Sequence, residues 1–185
     1  MGCDPTGSSV YSRSARGQWL KLIKPHGVRA QLQLLYEMLD AALEGEGKAR
    51  QLMVRLGQPF EEIRRLNTVP GVGRIGAHVF VGLIQEPARF TTQQQLYRYC
   101  RLGIRDRSSD NKPLGYQRLD PRGHGVLKAV SYRAWLAAMK CRRGAVYEFY
   151  CQSLERIGGT VHARLNTQRK ILGTLLTLWK QGGSV

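Results

Sequence analysis

Leu66-Asn67-Thr68-Val69-Pro70-Gly71-Val72-Gly73-Arg74-Ile75-Gly76-Ala77 reads as the end of one helix, a glycine turn and the start of a second helix. Pro70 restricts Val69 and helps end the first helix. Gly71 and Gly73 tolerate positive φ and leave amide groups uncovered. Ile75, Val79, Phe80 and Leu83 then recur at helical spacing. A turn of this kind can aim amide donors and a helix N-terminus at one phosphate, with Arg74 beside them. It is a sequence-independent grip on a nucleic-acid backbone, and it places the chain among mainly α folds.

Composition points the same way without deciding it. The chain has 29 Lys+Arg against 13 Asp+Glu, a formal net charge of +16 over 185 residues. Such a charge favours polyanions and makes binding salt-dependent. Ribosomal and membrane-surface proteins can be as basic, so charge alone leaves the class open. No apolar run reaches the roughly 18 residues of a membrane span, and residues 1–17 lack the apolar segment of a secretory signal. The four cysteines (Cys3, Cys100, Cys141, Cys151) form no CxxC motif and no metal-ligand spacing with histidine. Free thiols in a cytoplasmic protein are the expectation.

Outward from the turn, the chain divides into three parts. Residues 1–17, rich in Ser, Gly and Arg, are expected to be a disordered tail. Residues 18–58 are expected to form a helical arm. A short helix stops at Pro25, and an amphipathic helix from Val28 to Leu43 carries Leu32, Leu35, Met38, Leu39 and Ala42 on one face. Gly45 and Gly47 are expected to interrupt it before a second helix at Lys48–Leu56. The two could form a hairpin or coiled-coil arm that joins copies of the chain, or simply pack on the next domain. Glu37, Asp40 and Glu44 share a helix face, which reads as solvated rather than metal-binding. Residues 59–182 are expected to form a helical domain containing the helix-hairpin-helix. Thr91 or Thr92 caps a helix from Gln93 to Cys100, and further helices are predicted at His124–Lys140, Val146–Ile157 and His162–Lys180.

Between them, Arg101–Arg122 has no helical period and contains Gly103, Pro113, Gly115 and Pro121. It reads as a long basic loop, with a short β-hairpin around Leu114–Leu119. Arg101, Arg105, Arg107, Lys112, Arg118 and Arg122 surround Ser108-Ser109, and Gly123, His124 and Lys128 follow at the next helix start. A serine hydroxyl among arginines can attack a phosphodiester while the cations neutralise its oxygens. Ser-Ser is also common in ordinary loops, and spacing alone favours that reading. His78 reads as a core residue. His124 could contact a phosphate. Tyr97, Tyr99 and Tyr116 could stack on bases or lie in the core.

The order of segments resembles the C-terminal part of transposases of the insertion-sequence 110 family, the DEDD/serine recombinases guided by a bridge RNA. The elements that carry the resemblance are Val69-Pro70-Gly71-Val72-Gly73, Arg89-Phe90, Leu102-Gly103, Ser108-Ser109, Gly123 with Leu127, and Arg169-Lys170-Ile171-Leu172. They span about residues 60–180. The resemblance implies a serine that attacks DNA to form a covalent phosphoserine link. Ser109 aligns best with it and Ser108 is the runner-up. It further implies a structured guide RNA and a RuvC-like domain whose DEDD carboxylates hold Mg²⁺.

Several positions depart from the family pattern. Asp110 stands where the family has glycine after the serine, Lys128 replaces an arginine, and His124 replaces an asparagine or aspartate. Arg105 or Asp106 stands where a proline is usual. The acids before Phe60 (Asp4, Glu37, Asp40, Glu44, Glu46) lie on no strand pattern, whereas a RuvC-like domain needs acidic strands over roughly 100–150 residues. The expectation is therefore a linker arm plus serine domain, with no metal or cofactor in this chain. Such a fragment binds DNA and lacks strand-cleaving activity alone. A non-catalytic nucleic-acid-binding module and a dimeric structural protein are the alternatives.

Overall fold

A computed structural model of the chain describes residues 8–109 and 112–182, with the side chains of 8, 9 and 106–117 outside the description. Residues 1–7 of the expected tail lie outside the described residues. The described part is mainly α and falls into two units, divided after Leu52.

In the first unit, a 3₁₀ turn at Ser8–Tyr11 leads into α1 (Arg16–Leu22) and then α2 (His26–Leu56). The expected tail is therefore structured from Ser8 onward. Arg16 is buried because its guanidinium lies 4.7 Å from the centre of the Tyr36 ring and donates to Asp40 Oδ2 at 2.8 Å. Arg13 Nε donates to Asp40 Oδ1 at 3.1 Å. Hydrogen bonding from Arg16, then from Arg13, holds the Asp40 carboxyl below the ordinary carboxylate range. Asp40 is thus an arginine clamp, which the solvated-face reading of Glu37, Asp40 and Glu44 did not foresee.

The arm differs from expectation in another respect. Gly45 and Gly47 do not interrupt it, and α2 is one helix of 31 residues, about 46 Å long at 1.5 Å per residue. Each glycine costs roughly 1 kcal/mol relative to alanine, which weakens a helix without ending it. Ion pairs Glu44–Lys48 and Glu46–Arg50 at i,i+4 bracket both glycines and offset part of that cost.

The second unit begins with α3 (Glu61–Leu66) and α4 (Gly73–Ile84), joined by the glycine turn. A 3₁₀ turn at Pro87–Arg89 and α5 (Gln93–Tyr99) follow. The strands β1 (Ile104–Ser109) and β2 (Lys112–Leu119) come next, and α6 (Gly125–Cys141), α7 (Ala145–Ile157) and α8 (Thr160–Gly182) complete the unit. The long loop of the sequence reading is thus an antiparallel hairpin, with pairs from Ile104↔Leu119 to Ser109↔Lys112 and a bulge between Asp106 and Ser108. Its residues are too polar to show the alternation of a half-buried strand.

The core is built on α8. Ile171, Leu172, Leu175, Leu176 and Trp179 are buried against Leu66, Phe80, Ile84, Leu96 and Leu127 from α3, α4, α5 and α6. Each fully buried aliphatic side chain contributes on the order of 1.5–3 kcal/mol. Phe80 and Trp179 meet at a ring-centre distance of 6.2 Å. His78 is a core residue, as expected. It is buried, with Nδ1 2.8 Å from the Arg74 carbonyl oxygen.

Candidate nucleic-acid interface

The hairpin grows from a collar assembled by backbone geometry. A capping box starts α5, in which the Thr92 hydroxyl accepts from the Gln95 amide and Gln95 Oε1 accepts from the Thr92 amide. At its end the chain reverses through Arg101, a non-glycine residue at φ +55°. Leu102 then donates its amide to Tyr97 O at 2.8 Å and buries its side chain completely. On the return, the Asp120 amide donates to Gly103 O at 2.9 Å. The buried Asp120 carboxylate accepts from the amide and Nε of Arg122 through Oδ1 and from Nη2 through Oδ2, all at 3.0–3.1 Å. That arginine holds the Asp120 carboxyl below the ordinary range.

Gly123 completes the collar. Its φ is +105°, and an added Cβ would fall 2.4 Å from Tyr99 O. Only glycine allows this approach. His124 then donates its amide to Tyr99 O at 2.7 Å, Arg101 Nε donates to Gly123 O at 2.7 Å, and Arg169 Nε from α8 donates to Leu102 O at 2.8 Å. Both strands therefore leave from a fixed base.

The glycine turn is anchored separately. Val69 and Val72 are buried, and a Cβ on Gly71 (φ +82°) would lie 2.5 Å from Ala134 O on α6. Gly71 thus serves helix packing as well as turn geometry. Gly73 (φ +65°) faces open space and Arg74 beside it is exposed. The first-turn amides of α4 have no partner within their own helix. Lys128 and Ala134 are about 9 Å apart along α6 at 1.5 Å per residue, so one helix carries both the turn and the collar edge.

The structure thus brings Arg105, Arg118, Arg122, Gly123, His124 and Lys128 together around the collar and sets Gly71, Gly73 and Arg74 on the neighbouring turn. Arg105 and Arg118 are cross-strand partners. Arg122 is committed to Asp120, so part of its charge is already neutralised. The exposed His124 ring lies 4.8 Å from the Tyr99 ring. Burial, and then the nearby Arg164 and Arg101, lower the Lys128 pKa. Two cations that repel Lys128 are a ready setting for an anion. Arg164 rests over the rings of Tyr132 and Trp135. Tyr99 donates its hydroxyl to Leu83 O, and Tyr97 is half-buried with its hydroxyl donating to Gln93. Ser108 and Ser109 occupy the end of β1 away from the collar, opposite Pro113 and Lys112. The side chains of Ser108, Ser109, Arg107, Lys112 and Tyr116 lie outside the described residues, as does Asp110 altogether.

Residues 63–151, from α3 through the turn, α4, α5, the hairpin and α6 into α7, match the model of the Transposase IS116/IS110/IS902 family. This stretch is similar to a domain of that transposase family. No curated protein matches the chain. The glycine turn and the collar residues from Thr92 to Lys128 fall inside the matched stretch, and Arg169 lies beyond it.

Arg101 was among the basic loop residues read from the sequence, whereas Arg164 and Arg169 were given no site role. Both lie on α8 beyond the matched stretch; Arg169 stands in the Arg169-Lys170-Ile171-Leu172 element of the resemblance, and only the helical period of α8 could have singled out Arg164. Among the described residues, no group of three His, Cys, Asp or Glu side chains is arranged to hold a metal ion, and no helix is long and apolar enough to cross a membrane.

Proposed function

We propose that this chain is the DNA-binding, serine-bearing part of a transposase, gripping the nucleic-acid backbone through the α3–α4 turn and the hairpin collar. The observation that carries this reading is the collar itself. It holds a polar hairpin rigidly at its base, with the Arg105 and Arg118 pair on the strands and the Ser108-Ser109 segment further out, on a transposase-family domain. In the turn, Gly73 and Arg74 offer amides and a cation to one phosphate, as in a helix-hairpin-helix. At the collar, Lys128, Arg105 and Arg118 offer further charge to a DNA strand or a structured guide RNA.

Ser109, with Ser108 as the alternative, is the nucleophile in this proposal. Its Oγ attacks phosphorus, the phosphoserine bond forms as a phosphorus–sugar oxygen bond breaks, the hydroxyl proton passes to a base, and the sugar leaves as a free hydroxyl. Mg²⁺-bearing carboxylates of a RuvC-like domain belong to this chemistry and are supplied from elsewhere, so the chain alone binds without cleaving. The setting is the cytoplasm. Incubation with DNA, with and without such a domain, followed by denaturing electrophoresis, tests the assignment. A covalent adduct is expected only with the added domain and is lost in Ser109→Ala, while binding is retained. An adduct that persists in Ser109→Ala and in Ser108→Ala contradicts it.

We also propose that α2 pairs with a second copy of the chain. Leu34, Leu35 and Met38 are each more than half exposed on this helix, a face that a partner helix would cover. The alternative is a non-catalytic nucleic-acid-binding module. It predicts binding that depends on Arg74 and on neither serine.

A further inference from the structure

Beneath β2, a cleft of about 370 Å³ runs between the base of the hairpin (Ile104, Leu119) and the junction of α7 with α8. The junction is shaped by Gly158, which ends α7 at φ +71° and turns the chain directly into α8. The turn brings Arg156, from the last turn of α7, and His162, from the first turn of α8, to the same cleft. Asn166 and Arg169, about one and two turns further along α8, line it too. Asn166 is oriented by donating from Nδ2 to Ser153 Oγ at 3.1 Å.

Arg169 is the unusual member. It is half-buried, and its Nε is fixed by the bond to Leu102 O, so the remaining Nη edge of the fork is held in one direction. It also borders an adjoining cleft of about 290 Å³ with Lys170 and Tyr97. Burial lowers its pKa, which marks a guanidinium short of compensating charge. Among the described residues, no carboxylate lies within ion-pair distance of Arg156, His162 or Arg169. A partly buried fork without a carboxylate is costly unless an anion completes it, and a planar fork suits the paired oxygens of a phosphate.

We propose that this cleft is a phosphate subsite for one phosphodiester of a bound nucleic-acid strand, received by the Nη edge of Arg169 with Arg156 and His162 at the rim. The site rests on the nucleic-acid-binding reading above and extends the interface past the matched family stretch onto α8. It makes the α7–α8 junction a second contact line beside Arg118 of β2, which lines the same cleft. Arg169 is at once a strut of the collar and a phosphate ligand, so an occupied cleft stiffens the base from which the serine-bearing strands project.

The full chain, a fluorescein-labelled 20-nucleotide strand and inorganic phosphate are sufficient for the test. Anisotropy titrations compare the wild type with Arg156→Ala/His162→Ala, whose side chains are exposed and outside the core, and with Arg169→Lys, which keeps the charge but not the fork. The double variant is expected to bind about tenfold more weakly, with its salt slope shallower by roughly one to two units. Arg169→Lys, which also removes the Nε bond to Leu102 O, is expected to lose about threefold or more in affinity. In parallel, the ¹⁵Nε–¹H resonance of Arg169, assigned by its loss in Arg169→Lys, is followed as phosphate replaces chloride at constant ionic strength, and it is expected to shift. Strand binding that is unchanged in the double variant, together with a silent Arg169 resonance, overturns the subsite and leaves the nucleic-acid reading standing. A shift with phosphate but no strand binding by the wild type overturns the backbone occupant and the nucleic-acid reading together, leaving a site for free phosphate alone.

Discussion

Gly71 and Gly73 stand two residues apart in the same turn, yet they are glycines for different reasons. At Gly71 both the positive φ and the 2.5 Å approach to Ala134 O exclude a side chain, whereas at Gly73 only the φ does. Gly71→Ala is expected to destabilise the chain by about 2–4 kcal/mol and Gly73→Ala by about 1 kcal/mol, read from urea midpoints. Equal costs would mean that the turn does not pack on α6 as described. The cysteines make a second residue-level test. Burial pushes the Cys100 thiol up to about 12, so it stays protonated at neutral pH. Cys141 is exposed and Cys151 half-buried. A disulfide reagent at pH 8 is expected to modify Cys141 first and Cys100 only on unfolding. Early labelling of Cys100, located by mass spectrometry, would contradict its place in the core. The glycines of the turn were legible in the sequence as turn residues. Their packing role was not, because it depends on Ala134, a small residue some sixty positions away that no local pattern connects to them.

At the scale of elements, helices were legible where apolar residues repeat. The predicted segments at 93–100, 124–140, 146–157 and 162–180 correspond to α5, α6, α7 and α8 within a few residues. The misread elements are those whose order comes from polar groups. Gly45 and Gly47 looked like a break, but flanking ion pairs and the length of α2 carry the helix through. A short hairpin was expected only around Leu114–Leu119, and its extension to Ile104 was missed because its order starts in a collar of backbone bonds to α5, α6 and α8. That collar should respond to acid. The Asp120 carboxyl is held down chiefly by hydrogen bonding from Arg122, so its stabilisation is full above the ordinary carboxylate pKa of about 3.9 and is lost as pH falls through its lower folded value. Amide exchange of Asp120 and His124 is expected to accelerate in that acid window. In Asp120→Asn the acceleration is already present at neutral pH and no longer varies with acid. Exchange that ignores pH in the wild type would remove Asp120 from the collar. On α2, Leu35→Asp is expected to abolish self-association in analytical ultracentrifugation without lowering helix content. A wild-type chain that sediments as a monomer at micromolar concentration would reject the pairing.

For the whole molecule, the excess of Lys and Arg was plain in the composition, but its distribution was not. Asp40 and Asp120 each neutralise arginines for structural ends, at Arg13, Arg16 and Arg122, while Lys128, Arg164, Arg156 and Arg169 have no carboxylate partner among the described residues. A basic chain in which some cations are struts and others are unpaired should lose binding only when the second kind is removed. The family could be read from an ordered set of short elements, and residues 63–151 bear it out. The part played by α8 could not, since Arg169 acquires meaning only through the carbonyl of Leu102. The most direct measurement is the dependence of nucleic-acid affinity on salt, with log K followed against log [NaCl] for the full chain on a short duplex and a single strand. The account predicts a steep fall, with a slope of about −3 or more negative, made shallower by roughly one unit in Arg74→Ala and again in Lys128→Ala. A flat dependence, or a slope untouched by both substitutions, would contradict it.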